Sequence, residues 1–174
     1  MKKLFEYALA GACLVLSMSR GGPHPDFIPM QKARATAREL FRAGNPAAAV
    51  SSLRTSTRAE PVPGGQEITL IQRLMEIAAE CYNRRDLALA RTVANEAFAL
   101  AAPLLVANDQ ATRGRRSEMA GSLGILKEDL FNDFKAAEAY YRVAVQIDPG
   151  NRQGALRQNV AIERQKAKRR SGGS

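Results

Sequence analysis

The chain has 174 residues, enough for one domain, with 26 Lys and Arg against 17 Asp and Glu, a formal net charge of +9 and no Trp. Abundant Ala and Leu without runs of alternating Val, Ile and Thr exclude a sheet-rich fold and predict an all-α protein. No Ser/His/Asp set is recognised around the single His, the two Cys form no paired-Cys metal motif or disulfide framework, and no Gly-rich phosphate loop is present.

In chain order, residues 1–19 read as an export signal. Lys2 and Lys3 precede an apolar run from Tyr7 to Met18, a length that suits a signal core and falls short of a membrane span. Ser17 and Ser19 supply small residues for a peptidase, whereas Glu6 is out of place. An uncleaved anchor and an ordinary apolar helix remain open, and Ala10-Gly11-Ala12-Cys13 is similar to a bacterial lipoprotein box whose cysteine would be acylated. Residues 20–29 have a linker composition of Gly and Pro, and His24 lies between two prolines there with no second ligand nearby.

Helices are expected over Met30–Ala43, Ala47–Thr57, Ile68–Tyr82, Leu87–Ala101, Ser117–Asn132, the segment after Asp133 and Arg152 to about Arg169. Gly44-Asn45-Pro46 and Pro61-Val62-Pro63-Gly64-Gly65 are breaks, and Pro103 closes the fourth helix. Asp86 and Asp133 stand where their side chains cap the helices that follow. Residues 108–116 are polar and read as loop or as a frayed helix start. Cys81 packs as a small core residue. Leu156, Val160 and Ala167 are expected to face inward on the last helix, and residues 170–174 form a disordered tail.

The segment from Asp133 to Asn151 is the most patterned. Ala137, Tyr141 and Ala144 recur on one helical face, two small residues flanking a ring, and Pro149 stops the helix. Looser copies lie upstream: Gly44, Ala49, Leu53 and Pro61, then Ala78, Ala90, Ala94, Ala97 and Pro103, with Gly124 opening the third set. Ala37 shares the apolar side of the first helix. Together these residues resemble the tetratricopeptide repeat (TPR), a helix-turn-helix unit of about 34 residues. The third copy, LGILKEDLFNDFKAAEAYYRVAVQIDPGN, carries the match, and the chain is similar to exported bacterial members of the family.

The resemblance implies a short right-handed superhelical stack of about three TPR-like helix-turn-helix repeats over residues 30–169, ending in a capping helix. It also implies a concave peptide groove lined by first-helix residues. Those positions are Arg34, Arg38, Phe41 and Arg42, then Gln72, Met75, Ala79, Tyr82 and Asn83, then Glu118, Glu128 and Asp129. Arg34, Arg38 and Arg42 form one stripe suited to a carboxylate-bearing peptide, or else a solvated basic face. Repeat packing falls to Ala37, Gly44, Ala49, Ala78, Ala90, Ala97, Gly124, Ala137, Tyr141, Ala144 and Pro149. The spacing of 41 from Ala49 to Ala90 and 47 from Ala90 to Ala137 implies insertions between repeats.

For function, the expectation is a non-enzymatic adaptor without cofactor or metal, periplasmic or secreted, that binds a segment of another envelope protein, with membrane contact only through the N-terminus. Glu76 and Glu80 share a helix face, as a catalytic pair would, but Glu80 with Arg84 reads as a surface ion pair. Glu128, Asp129 and Asp133 lack calcium-loop spacing. The alternative is a nucleic-acid or anionic-surface binder. From Asn151 onward seven basic residues face the single Glu163, and Arg157, Arg164, Lys166, Lys168, Arg169 and Arg170 would contact phosphates.

Overall fold

The computed structural model describes residues 27–57 and 62–171. Among them are seven α-helices and no strand, so the chain is all-α. In order they are α1 (Phe27–Arg42), α2 (Pro46–Ser56), α3 (Gly65–Asn83), α4 (Leu87–Leu105), α5 (Arg113–Phe131), α6 (Phe134–Ile147) and α7 (Arg152–Ser171). The readings of residues 1–26, Pro61 and residues 172–174 lie outside the described residues. Phe27–Pro29, expected as linker, open α1, and Arg170 and Ser171, expected as tail, close α7.

Three turns share one plan. Gly44 (φ 73°), Arg85 (φ 67°) and Asn132 (φ 52°) each take a left-handed conformation, and each is followed by a capping residue. Asn45 accepts the Ala48 N–H at 3.1 Å, Asp86 accepts the Leu89 N–H at 3.2 Å and Asp133 accepts the Ala136 N–H at 3.0 Å. Such caps satisfy N–H groups that a helix start leaves unpaired. Four residues past each cap stand Ala49, Ala90 and Ala137, and eight past stand Leu53, Ala94 and Tyr141, all buried. Short side chains at the first of these positions let the paired helices approach closely.

Polar contacts fix the helix directions. Arg113 Nε donates to the Ile147 carbonyl at 2.8 Å and Ser117 Oγ to the Ala144 carbonyl at 2.7 Å, while Gly124 meets the Tyr141 ring, so α5 and α6 run antiparallel. Arg91 of α4 donates to the Leu130 carbonyl of α5, and Arg116 of α5 to the Leu104 carbonyl of α4, so these too are antiparallel. Alternate helices are parallel: Arg34 of α1 pairs with Glu76 and Glu80 of α3 and Arg38 with Glu80, while Arg115 of α5 reaches Thr69 and Gly65 of α3. One core runs through α1–α5, with Ile68, Ile71, Leu74 and Ile77 of the central α3 at its middle. A smaller cluster of Ala137, Tyr141 and Ala161 lies under α6 and α7.

Other boundaries differ from expectation as well. Pro103 lies inside α4, which continues to Leu105. The buried Arg116 guanidinium donates to the carbonyls of Leu104, Ala107 and Asp109, tying down the helix end and the following turn. Helix α5 begins four residues before Ser117, where Asp109 accepts the N–H groups of Ala111 and Thr112 at 3.0 and 3.1 Å and so organises the turn. The other difference is the facing of α7. Gly154 and Ala161 point inward, and Leu156 and Val160 are exposed. A Cβ on Gly154 would come within 3.4 Å of Ala144 Cβ, an approach too close for a leucine.

Candidate protein-binding face

The parallel helices α1, α3 and α5 share one face of the molecule. Because α3 is packed by α1, α2, α4 and α5, its accessible surface shrinks to a stripe that includes Thr69, Gln72, Arg73, Glu76 and Glu80. On α5 the accessible positions nearest in helical register are Glu118, Gly121, Ser122, Ile125 and Asp129.

The sequence-expected groove residues divide on this face. Arg34 and Arg38 lie on it, but their side chains are only 14% and 17% exposed. Arg34 bridges Glu76 at 3.3 Å and is hydrogen-bonded to Glu80; Arg38 is 3.5 Å from Glu80. Arg73 completes the row by donating to Glu76 at 2.9 Å. Arg42, more exposed, bridges Glu39 at 2.7 Å and Asp86 at 3.7 Å. The three guanidinium groups are thus already matched to carboxylates of the same chain. Glu80 bonds across to α1, in place of the expected local pair with Arg84.

Phe41 and Met75, expected in the groove, belong to the core at 3% and 9% exposure, and Ala79 is buried as well. The physical reason is supply. Helix α1 offers few large apolar residues and spends Phe41 on the core, and α3 is enclosed on several sides. Gln72 and Tyr82 are half-buried and Asn83 is exposed. Tyr82 also packs against the core.

Among the packing residues, Ala37, Ala49, Ala78, Ala90, Ala97, Ala137, Tyr141 and Ala144 are fully buried, and Gly124 is buried beneath Tyr141. Gly44 and Pro149 are corrections, since both are exposed. A Cβ on Gly44 would touch nothing within 4 Å, so its role is the positive φ of the turn. Pro149 lies beyond the end of α6 and is not part of the core.

Toward α7 the acidic positions of α5 are also matched. Glu128 accepts the Tyr141 hydroxyl at 3.0 Å and is ion-paired with Arg164. Partial desolvation by the surrounding protein pushes the Asp129 carboxyl up from its ordinary value although the residue is reachable from solvent, and the Arg157 charge beside it opposes the shift. Of the six cations expected to contact phosphates, Arg157, Arg164 and Lys166 therefore face acidic partners within the fold, the last through Glu163. The Cys81 thiol beneath the face is pushed up first by burial and then by the Asp86 charge, against the opposing charges of Arg38 and Arg42.

No group of three or more His, Cys, Asp or Glu that could hold a metal ion occurs among the described residues, and no described helix is long and apolar enough to cross a membrane. The arrangement offers polar side chains, amides and a balanced row of charges along parallel helices. Sequence reasoning missed Glu76 and Glu80 as partners of the arginines. A signal existed: both pairs of charges are spaced i, i+4, and they lie 42 residues apart, close to the 41 between the first two caps. No protein-family model, curated protein or solved structure matches the chain.

Proposed function

We propose that the chain is a tetratricopeptide-like scaffold, non-enzymatic and exported to the cell envelope, that holds a segment of another protein on the face shared by α1, α3 and α5. The observation that carries this reading is the repeated turn: a left-handed residue, an Asn or Asp cap, and buried residues four and eight positions later, three times along the chain. Repetition of one supersecondary unit, with alternate helices parallel, is the arrangement that stacks helix pairs into an extended binding surface. Export rests on the N-terminal pattern of two lysines and a twelve-residue apolar run.

The bound segment is read mainly through Gln72, Asn83, Glu118 and Ser122, because Arg34 and Arg38 already hold Glu76 and Glu80. Its recognition is therefore by hydrogen bonds to backbone and polar groups more than by arginine capture of carboxylates. The test is a photo-crosslinking residue at Gln72 or at Ser122 in the full chain, compared with one at the exposed Asn95 of α4. A discrete protein adduct from the first two positions, absent at Asn95 and unchanged by nuclease, is the expected result. Identical adducts from all three positions, or loss of the adduct with nuclease, would contradict the reading.

A further inference from the structure

The last helix presents its larger apolar side chains to the outside. Leu156 is 67% exposed and Val160 47%, one helical turn apart on the same face of α7, next to exposed Ala155 and Asn159. A shallow depression of about 400 Å³, lined by Asn159, Val160, Glu163 and Arg164, adjoins them. The opposite face, through Gly154 and Ala161, is already occupied by α6. The exposed face of α7 thus carries an apolar pair on which another helix can pack.

Charge decides what that helix would be. From Asn151 onward the chain is strongly basic, and its only acid, Glu163, is paired with Lys166 at 2.8 Å. Arg152, Lys166 and Arg170 are exposed along α7. A second copy would set one basic helix against another, which is repulsive. Phosphates would make no use of Leu156 and Val160, because they are bound by cations and N–H donors. A lipid surface would need a continuous apolar face, and the other exposed positions among the described side chains of α7 are Arg152, Gln153, Ala155, Asn159, Glu163, Lys166 and Arg170, which are mostly polar or charged.

We propose that the outer face of α7 is a second docking surface, distinct from the α1/α3/α5 face, that seats an amphipathic helix of another protein with acidic residues flanking its apolar seam. Leu156 and Val160 insert between the apolar side chains of the docked helix. Arg152 and Arg170 meet its carboxylates and set its orientation, as flanking charges do for paired helices.

The experiment uses the full chain and two synthetic peptides of identical composition. One has Leu at a and d and Glu at e and g of the heptad; the other has the same residues scrambled. Binding is followed by fluorescence anisotropy. The ordered peptide is expected to bind, and Leu156→Glu or Val160→Glu to weaken it by about tenfold or more. Leu156→Ser, which adds no charge, should weaken it as well. All three substitutions face water, and circular dichroism confirms that the fold is retained. Equal binding of both peptides, or no loss in the Leu156 and Val160 variants, overturns the proposal. So does a dimer in sedimentation that Leu156→Glu dissolves, which gives the face to a second copy. Binding to phosphatidylglycerol vesicles that depends on Leu156 gives it to lipid and overturns the proposal equally.

Discussion

Gly124 lies directly against the ring of Tyr141: a Cβ added to the glycine would fall 2.4 Å from Cε1 and 2.7 Å from Cδ1. The ring has nowhere to go, since Tyr141 is fully buried and its hydroxyl donates to Glu128 at 3.0 Å. Gly124→Ala, which by helix propensity alone should gain about 1 kcal/mol, is expected to lose about 1–3 kcal/mol as α5 is pushed from α6. Gly121 on the same helix is the control, because a Cβ there meets nothing within 4 Å. Gly121→Ala should stabilise by about 0.5–1 kcal/mol. Urea unfolding of the two variants checks the contrast, and equal shifts would contradict the close approach.

Ser117 joins three helices through one hydroxyl. It donates to the Ala144 carbonyl at 2.7 Å and accepts from Asn151 Nδ2 at 2.8 Å, while Asn151 Oδ1 caps α7 at the Gly154 N–H, 2.8 Å away. Ser117→Ala removes one of two hydrogen bonds at the Ala144 carbonyl, which still accepts the Asp148 N–H at 2.9 Å, and releases the Asn151 cap, for an expected loss of about 0.5–1.5 kcal/mol. Amide exchange at Gly154 should quicken more than at Ala136, whose cap is Asp133. Uniform quickening at both sites would show that the hydroxyl does not hold α7.

Asp109 gives the turn before α5 a pH dependence. The Thr112 hydroxyl, and with it the Ala111 N–H, hold the Asp109 carboxyl below its ordinary value. A folded-state pKa depressed below the unfolded one contributes stability that is present above the unfolded value and is lost as pH falls through the folded one. Asp109→Asn should therefore be less stable than the parent at neutral pH, with the gap closing as pH falls through and below the carboxylate range. Thermal melts across that interval test this, and a gap that is independent of pH would refute it.

Local features of the fold were legible in the sequence, and contacts across helices were not. Asp86 and Asp133 cap because a cap is a property of four consecutive residues, and the Ala137, Tyr141 and Ala144 face follows from helical period. Pro103 misled because its effect depends on what holds the helix end, and that is Arg116, thirteen residues away. Leu156 and Val160 were expected inward on hydrophobicity, yet close packing on α6 admits Gly154 and Ala161. Glu80 found its partners 46 and 42 residues away, which i, i+4 reasoning cannot reach. Phe41 and Met75 stood at groove positions by family resemblance, but enclosure of α3 and the small apolar content of α1 place them in the core.

Arg34 and Arg38 of α1 are held by Glu76 and Glu80 of the parallel α3, which under the proposed function leaves the shared face to recognise its segment without them. A double-mutant cycle over Arg34→Gln and Glu80→Gln measures this directly, with urea unfolding as the readout. The two groups are partly buried, so each single substitution should cost about 1–2 kcal/mol, between the values for exposed and enclosed pairs. The double variant should cost clearly less than the sum, a coupling of about 1 kcal/mol. Additive losses with no coupling would mean that Arg34 does not hold Glu80, and that the arginine stripe of α1 is open to a ligand after all.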